Sequence, residues 1–368
     1  MSVSIIPMFT IYNKSEWARI LLENPSPSDI IKEDIWNKTR SYPVPTVEIS
    51  LDDAKEDFKN LIALDTKPLI KTGDLFSRYE YEWDIGNQYI DSCNTGNKSS
   101  NLFHQDLRYK CDSINSPSPY RNWNEKKFFF TLCNALWSLK MKEVTSETLR
   151  QCIHLRKYVA SQFRPSAAKA IYDHFNAKRI LDFSSGWGDR LSAALAKKDI
   201  EKYTAIDPNQ KLWSNYNQQI GNLAGYTSAP EFMIKPAEEG VKELIGRRTY
   251  DLIFTSPPYF IIERYSKDST QSWQRYKKID KWLDGFLFPV LRDSWELLEI
   301  GGHMAINISD VYCNHTVNHI CDPMNNEIST FTGAEKISNI NYRMAKRVGS
   351  KSNKKGIFVE PIWIWRKN

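Results

Sequence analysis

No apolar run in this chain approaches the ~18 residues a membrane span needs, so no transmembrane helix is expected. No CxxC pair occurs among the six cysteines, Cys93, Cys111, Cys133, Cys152, Cys313 and Cys321. In a chain of 368 residues such scattered cysteines read as reduced thiols of an intracellular protein, cytoplasmic or nuclear and not secreted. The opening "MSVSIIPMFT" lacks a basic segment ahead of its apolar residues and a small-residue cleavage site, which argues against a signal peptide. Internal repeats and long low-complexity tracts are also absent. What is present is ordinary globular composition, 41% hydrophobic and 26% charged, at a length that accommodates two domains.

The formal charge of +6 is unevenly placed. Residues 343–368 carry eight lysines or arginines against one acid, Glu360, which leaves the remaining 342 residues close to neutral. Arg343, Lys346, Arg347, Lys351, Lys354 and Lys355 are therefore candidates for phosphate contact, with a solvated loop as the alternative.

The texture changes along the chain. Residues 1–120 are rich in turn signals such as "ENPSPSD", "SYPVPT" and "INSPSPYRNW". Residues 126–142 space Phe129, Leu132, Leu136 and Leu139 as an amphipathic helix, and a second helix is expected after Ser146 as its N-cap. After Pro165, strand-like and helix-like segments alternate: "RILDF", "GDRLSAALAKK", "KYTAID", "KLWSNYNQQIGNLAG", "EFMI", "DLIFT", "DGFLFPVLRDSWELL" and "HMAINI". "GIFVEPIWIW" reads as one closing strand. Alternation of this kind predicts an α/β, Rossmann-like, mostly parallel sheet with helices on both faces. The expected division is an irregular, α-rich N-terminal domain over 1–150 and the α/β domain over 151–368.

"ILDFSSGWGDRLSAAL" sets a strand, a Gly-x-Gly turn at Gly186 and Gly188, and a helix start in succession. Glycines there let a ligand lie against the backbone at the strand's carboxyl end. Asp207, 21 residues beyond Gly186 and at the end of the next strand, suits the two hydroxyls of a ribose. A nicotinamide dinucleotide fits less well, because the position three after Gly188 is Leu191 rather than a third glycine. Asp182 and Ser184 put polar groups beside the turn, where a carboxylate suits an ammonium. S-adenosylmethionine carries both a ribose and an ammonium, and is the expected cofactor.

In "DLIFTSPPYF" a strand runs into Ser256, Pro257, Pro258 and Tyr259. With the glycine turn and "FRPSAAKAIY", this stretch resembles the S-adenosylmethionine-dependent amino-methyltransferases of DNA, over residues 160–310 and more weakly to the C-terminus. The resemblance implies a class I methyltransferase sheet, with Phe163 and Pro165 lining the far side of the cofactor and Glu238 of "IKPAEE" near its adenine. It also gives the corner a use. An exocyclic amine is a poor nucleophile because its lone pair is delocalised into the base. Acceptors at Ser256 Oγ and the Pro257 carbonyl would draw that nitrogen toward tetrahedral geometry, and the prolines hold the carbonyl in place. Tyr259 offers a ring on which a flipped base stacks.

The resemblance implies a target as well: in that family serine before Pro-Pro-Tyr is commoner among cytosine N4 enzymes, which favours cytosine N4 and leaves adenine N6 open. Methylation at cytosine carbon 5 would need a cysteine nucleophile, and in that family a proline precedes it. No cysteine here follows a proline. RNA is an alternative partner, and an inactive methyltransferase-like binding subunit is an alternative of another class.

"CNHTVNHIC" gathers Cys313, His315, His319 and Cys321, with the two histidines at helical i, i+4 spacing, but amino methylation calls for no metal and none is expected. Only 70 residues separate the two motifs, too few for an inserted recognition domain. Recognition then falls to the N-terminal region, or to "IIERYSKDSTQSWQRYKKIDKW" after Tyr259.

Overall fold

The computed structural model describes residues 8–223, 230–345 and 355–368. The chain forms two compact units: Met1–Ser50 with Gln105–Ser161 and Glu263–Tyr265, and Leu51–His104 with Gln162–Ile262 and Ser266–Asn368. The units thus divide the chain at several points, where the sequence suggested one cut near residue 150. The cause is long-range pairing. Residues 70–90 contribute strands that pair with residues 340–360, a relation that local texture does not report.

The first unit is more regular than its turn signals suggest. Its helices include Lys14–Glu23, Asp29–Thr39, Lys126–Ser138 and Ser146–Arg156. Asn13 and Glu16 form a reciprocal capping box on the first of these. The fourth is capped by Thr145 rather than by Ser146, since the Thr145 hydroxyl accepts from the Thr148 N–H. Trp17, Ile35, Trp123, Phe129, Leu132 and Leu136 form its core. The helices are short, at 10 to 13 residues, so the Pro- and Ser-rich connections dominate the sequence texture.

The second unit is built on a seven-stranded sheet. In chain order its elements are α1 (Pro165–His174), β1 (Arg179–Asp182), α2 (Asp189–Ala196), β2 (Lys202–Ile206), α3 (Leu212–Asn222), β3 (Glu231–Met233), α4 (Ala237–Leu244), β4 (Tyr250–Thr255), α5 (Phe288–Leu297), β5 (Leu298–Asn307), α6 (Cys321–Ser329), β6 (Ala334–Lys336) and β7 (Ile362–Lys367). The strand order is β6-β7-β5-β4-β1-β2-β3. Strands β1 to β5 are parallel, and β7 runs antiparallel to both β5 and β6. This is the expected Rossmann-like α/β sheet. Helices α1 and α2 pack together with Leu51–Ala63, and α4 and α6 pack on α5, giving the two helical layers.

Strand β4 lies between β1 and β5. Leu252, Ile253 and Phe254 are fully buried, so this strand reads as a continuous apolar run instead of alternating. Each such side chain contributes about 1.5–3 kcal/mol by burial. The strand order reverses between β1 and β4, which leaves a crevice at their carboxyl ends, the usual place for a ligand in an open α/β sheet.

A second sheet has five strands: Ile70–Thr72, Gln88–Ile90, Ile340–Arg343, Ile357–Glu360 and Leu75–Phe76, in that spatial order. The expected single strand "GIFVEPIWIW" is therefore two. Pro361 cannot donate to a ladder; Ile357–Glu360 joins this second sheet, and Ile362–Lys367 closes the first. Among the described residues no helix is long and apolar enough to cross a membrane.

Candidate active site

The glycine turn follows β1 directly. Gly186 and Gly188 have φ of 60° and 74°, in the left-handed region that favours glycine. At Gly188 space is a second constraint, because an added Cβ would lie 2.2 Å from Gln219 Oε1 and 2.5 Å from His104 Nε2. At Gly186 the same atom would meet nothing closer than 3.8 Å, so the backbone there is open to a neighbour. Helix α3 secures the turn from below. Gln219 Nε2 donates to the Gly188 carbonyl at 2.8 Å, and the Tyr216 hydroxyl donates to the Gly186 carbonyl. None of Tyr216, Gln219 and His104 is marked by a sequence motif, since their role is set by contacts with residues far along the chain.

Asp207, just past β2, reaches back to the same turn. Its carboxylate accepts the Gly186 N–H at 3.0 Å and the Asn209 N–H at 2.9 Å. Burial pushes its pKa up to about 6, against these two N–H bonds, which favour the ionised form. Its remaining lone pairs can still accept hydroxyl donors.

Asp182 differs from expectation. Its carboxylate is wholly buried, held by Arg190 at 2.7 and 3.2 Å, by the Tyr203 hydroxyl at 2.7 Å and by the Thr255 hydroxyl at 2.8 Å. With the Ser184 N–H at 3.4 Å, five donors already occupy it, so it is a joint within the fold and not an open receptor for an ammonium. Burial raises the Tyr203 hydroxyl well above its ordinary pKa, which keeps it a donor. The Ser184 carbonyl accepts from the Arg190 guanidinium, so the residues before the turn are braced by the same arginine.

The joint brings the two motifs together. Thr255, whose hydroxyl binds Asp182, immediately precedes Ser256. Among the described residues nothing hydrogen-bonds the Ser256 hydroxyl or the Pro257 carbonyl, whereas the Pro258 carbonyl accepts the Phe260 N–H at 3.0 Å. Phe260 holds φ at 55°, a bend that turns the chain away after Tyr259. The Tyr259 hydroxyl donates to Glu360 Oε1 at 2.5 Å and lies 3.4 Å from the Asn307 carbonyl at the end of β5.

Phe163 is buried, edge-on to Phe254 of β4 at 5.3 Å and stacked on Tyr342 at 4.8 Å. Pro165 is the first residue of α1, where its missing N–H costs nothing, and packs 2.8 Å from where a Cβ on Gly96 would stand. Glu238 lies in the first turn of α4, paired with Arg275 at 3.0 Å and accepting from the Tyr276 hydroxyl at 3.3 Å. Two residues of the aromatic and basic segment after the corner therefore meet Glu238, a contact the sequence did not reveal.

Of the basic residues, Arg343 pairs with Asp91 at 2.6 Å and Lys355 is exposed. Lys346, Arg347, Lys351 and Lys354 lie outside the described residues. The "CNHTVNHIC" segment is no helix. Val311–Cys313 and Thr316–Asn318 pair as a hairpin, and its turn residues Asn314 and His315 both have positive φ, as a tight two-residue turn requires. His319 instead binds Asp310 at 2.9 Å.

Three solved structures illustrate what the fold is similar to. A SAM-dependent methyltransferase from Agrobacterium tumefaciens aligns with 55% of this chain and 60% of its own, at 16% identity and a TM-score of 0.36. TehB from Haemophilus influenzae aligns with 55% of this chain and 62% of its own, at 12% identity and a TM-score of 0.35. An rRNA methylase from Streptococcus thermophilus aligns with 56% of this chain and 99% of its own, at 13% identity and a TM-score of 0.35. The chain thus spans about three fifths of the first two proteins. No curated protein matches the sequence. Residues 250–368, from β4 with its proline corner to the C-terminus, match the DNA methylase family (N6_N4_Mtase).

Proposed function

We propose that this protein transfers the methyl group of S-adenosylmethionine to an exocyclic amino group of a base in DNA, cytosine N4 before adenine N6. The observation that carries the reading is the union of two features at the carboxyl ends of two neighbouring central strands. An open glycine turn with Asp207 sits at the end of β1, and the adjacent strand β4 ends in two acceptors, Ser256 Oγ and the Pro257 carbonyl, that no described residue occupies. The DNA methylase match over 250–368 supports the substrate class.

The residues fit the cofactor in part. Gly186 leaves room for close approach, and Asp207 would take the ribose hydroxyls. Glu238 and Phe163 would flank the adenosine, while Asp182 takes no part in binding because its acceptors are filled. When bound, the cofactor supplies a methyl group already activated on a sulfonium. The chain's own contribution is orientation. Ser256 and the Pro257 carbonyl take the two N–H groups of the target amine and free its lone pair, and the Tyr259 ring holds the extruded base. Basic residues of 343–355 would bind phosphate, and the first unit or the segment after Tyr259 would read the target.

Incubation with tritiated S-adenosylmethionine and a mixture of DNA and RNA, followed by nucleoside analysis, tests this directly. Label in N4-methylcytosine is the expected result. Label in N6-methyladenine of DNA would correct the base, and label confined to RNA would replace the substrate. Absence of label from every nucleoside, with cofactor binding intact by calorimetry, would overturn the reading in favour of an inactive binding subunit.

A further inference from the structure

We propose that Glu360, which lies outside both sequence motifs, is a positioning residue that fixes the ring of Tyr259 for stacking on the target base. The inference rests on the proposed base methylation and adds a residue from the second sheet to it.

A tyrosine ring is useful as a stacking platform only if its plane is set before the base arrives, since ordering it afterwards costs binding free energy. Two torsions set that plane, and Tyr259 is half-buried. A hydrogen bond at the far end of the ring removes the remaining freedom. Tyr259 has one: its hydroxyl donates to Glu360 Oε1 at 2.5 Å, with the Asn307 carbonyl 3.4 Å away. A carboxylate acceptor makes this a charge-assisted bond, stronger than one between neutral groups.

Glu360 is itself held by covalent and ladder constraints. It ends the strand Ile357–Glu360 and precedes Pro361, whose carbonyl accepts from Asn307 Nδ2 at 3.1 Å. Asn307 therefore reaches Tyr259 and Pro361: its backbone carbonyl faces the Tyr259 hydroxyl, and its side chain ties the residue after Glu360 to the end of β5. Across the ladder Glu360 pairs directly with Tyr342. Directly opposed residues of an antiparallel pair project from the same face. On that face Tyr342 stacks on Phe163 and Glu360 holds Tyr259, so one pair of strands meets both aromatics.

The test compares Glu360→Ala, Glu360→Gln, Tyr259→Phe and the double variant Tyr259→Phe/Glu360→Ala. Glu360→Ala should lower kcat/KM for the nucleic acid about tenfold, the loss of one charge-assisted bond, and leave S-adenosylmethionine affinity unchanged. Glu360→Gln, whose amide oxygen accepts the same bond, should recover most of that loss. The double variant should be no worse than Tyr259→Phe, because both single changes remove the same contact. In parallel, 3-fluorotyrosine at Tyr259 should give a fluorine resonance that shifts and broadens in Glu360→Ala but not in Glu360→Gln. Parental kcat/KM in Glu360→Ala, additive losses in the double variant, or an unmoved resonance would each overturn the assignment. A parent protein that labels no nucleic acid would sink the proposed function instead, and the fluorine signal would still decide whether Glu360 holds the ring.

Discussion

Asp207 is a carboxyl whose environment works against its own charge. Burial raises its pKa to about 6 from an ordinary value near 3.9, so the unliganded protein keeps the proton where an exposed aspartate would lose it. The sign for stability follows: the raised value favours the folded state at low pH, and that contribution is lost as pH rises from about 4 to about 6. If Asp207 takes the ribose as proposed, cofactor binding should run the other way, because the hydroxyls would donate to the ionised form. S-adenosylmethionine affinity should therefore fall about tenfold between pH 7 and pH 5, as titration calorimetry would register. Asp207→Asn should bind weakly at both values and lose the dependence; an equally steep profile in that variant would place the proton elsewhere.

Ser256 gives a complementary residue-level prediction. Ser256→Ala should leave cofactor affinity intact and lower the methyl-transfer rate by about 10²–10³, the usual cost of one preorganised polar partner. Single-turnover transfer at the parental rate would reduce the corner to a structural turn. The positions of both residues were legible in the sequence because each is fixed by a local rule, an acid following the second strand and a serine following the fourth. Asp182 was not, since a carboxylate before a glycine turn looks the same whether its partners are a ligand or, as here, Arg190, Tyr203 and Thr255.

At the scale of elements, that buried carboxylate joins β1, β2, β4 and α2 at one point. Tyr203 comes from β2, Thr255 from β4 and Arg190 from α2. Removing one member of a buried ion pair leaves the other charge uncompensated, which typically costs about 3–5 kcal/mol. Asp182→Ala should lose stability of this order in urea unfolding, whereas Thr255→Val, which deletes one neutral donor, should lose about 1 kcal/mol. A stable Asp182→Ala with selectively weakened cofactor binding would restore Asp182 to the ligand.

The same joint shows which elements the sequence exposes. Strands β1 to β5 and the helices between them follow from apolar runs and glycine punctuation. The five-stranded sheet does not, because it pairs residues more than 240 positions apart in strands of two to four residues. Pro361 could have signalled the break between Ile357–Glu360 and β7, since proline inside a strand argues for a boundary. The histidines of "CNHTVNHIC" were misplaced for a related reason. Spacing of i, i+4 fits a helix, but Asn-His with positive φ at both positions makes a hairpin turn equally compatible with it.

Over the whole molecule the charge is close to neutral except in 343–368, so its long-range field should attract phosphate chiefly through that stretch. The basic residues there are not equivalent. Arg343 already faces Asp91 at 2.6 Å, and Asp91 also takes Lys71 at 2.6 Å, so much of the Arg343 charge is answered within the chain. A cation that is already paired releases few counterions when nucleic acid binds, and contributes little to the salt slope. Arg343→Gln should therefore leave the slope of log K against log salt within about 0.5 of the parent. Neutralising Lys351, Lys354 and Lys355 together should flatten it by about 2–3, if each touches the backbone of duplex DNA. Fluorescence anisotropy across a salt series measures both variants on the same DNA. Equal slopes for the triple variant and the parent would show that the stretch is solvated and makes no phosphate contact.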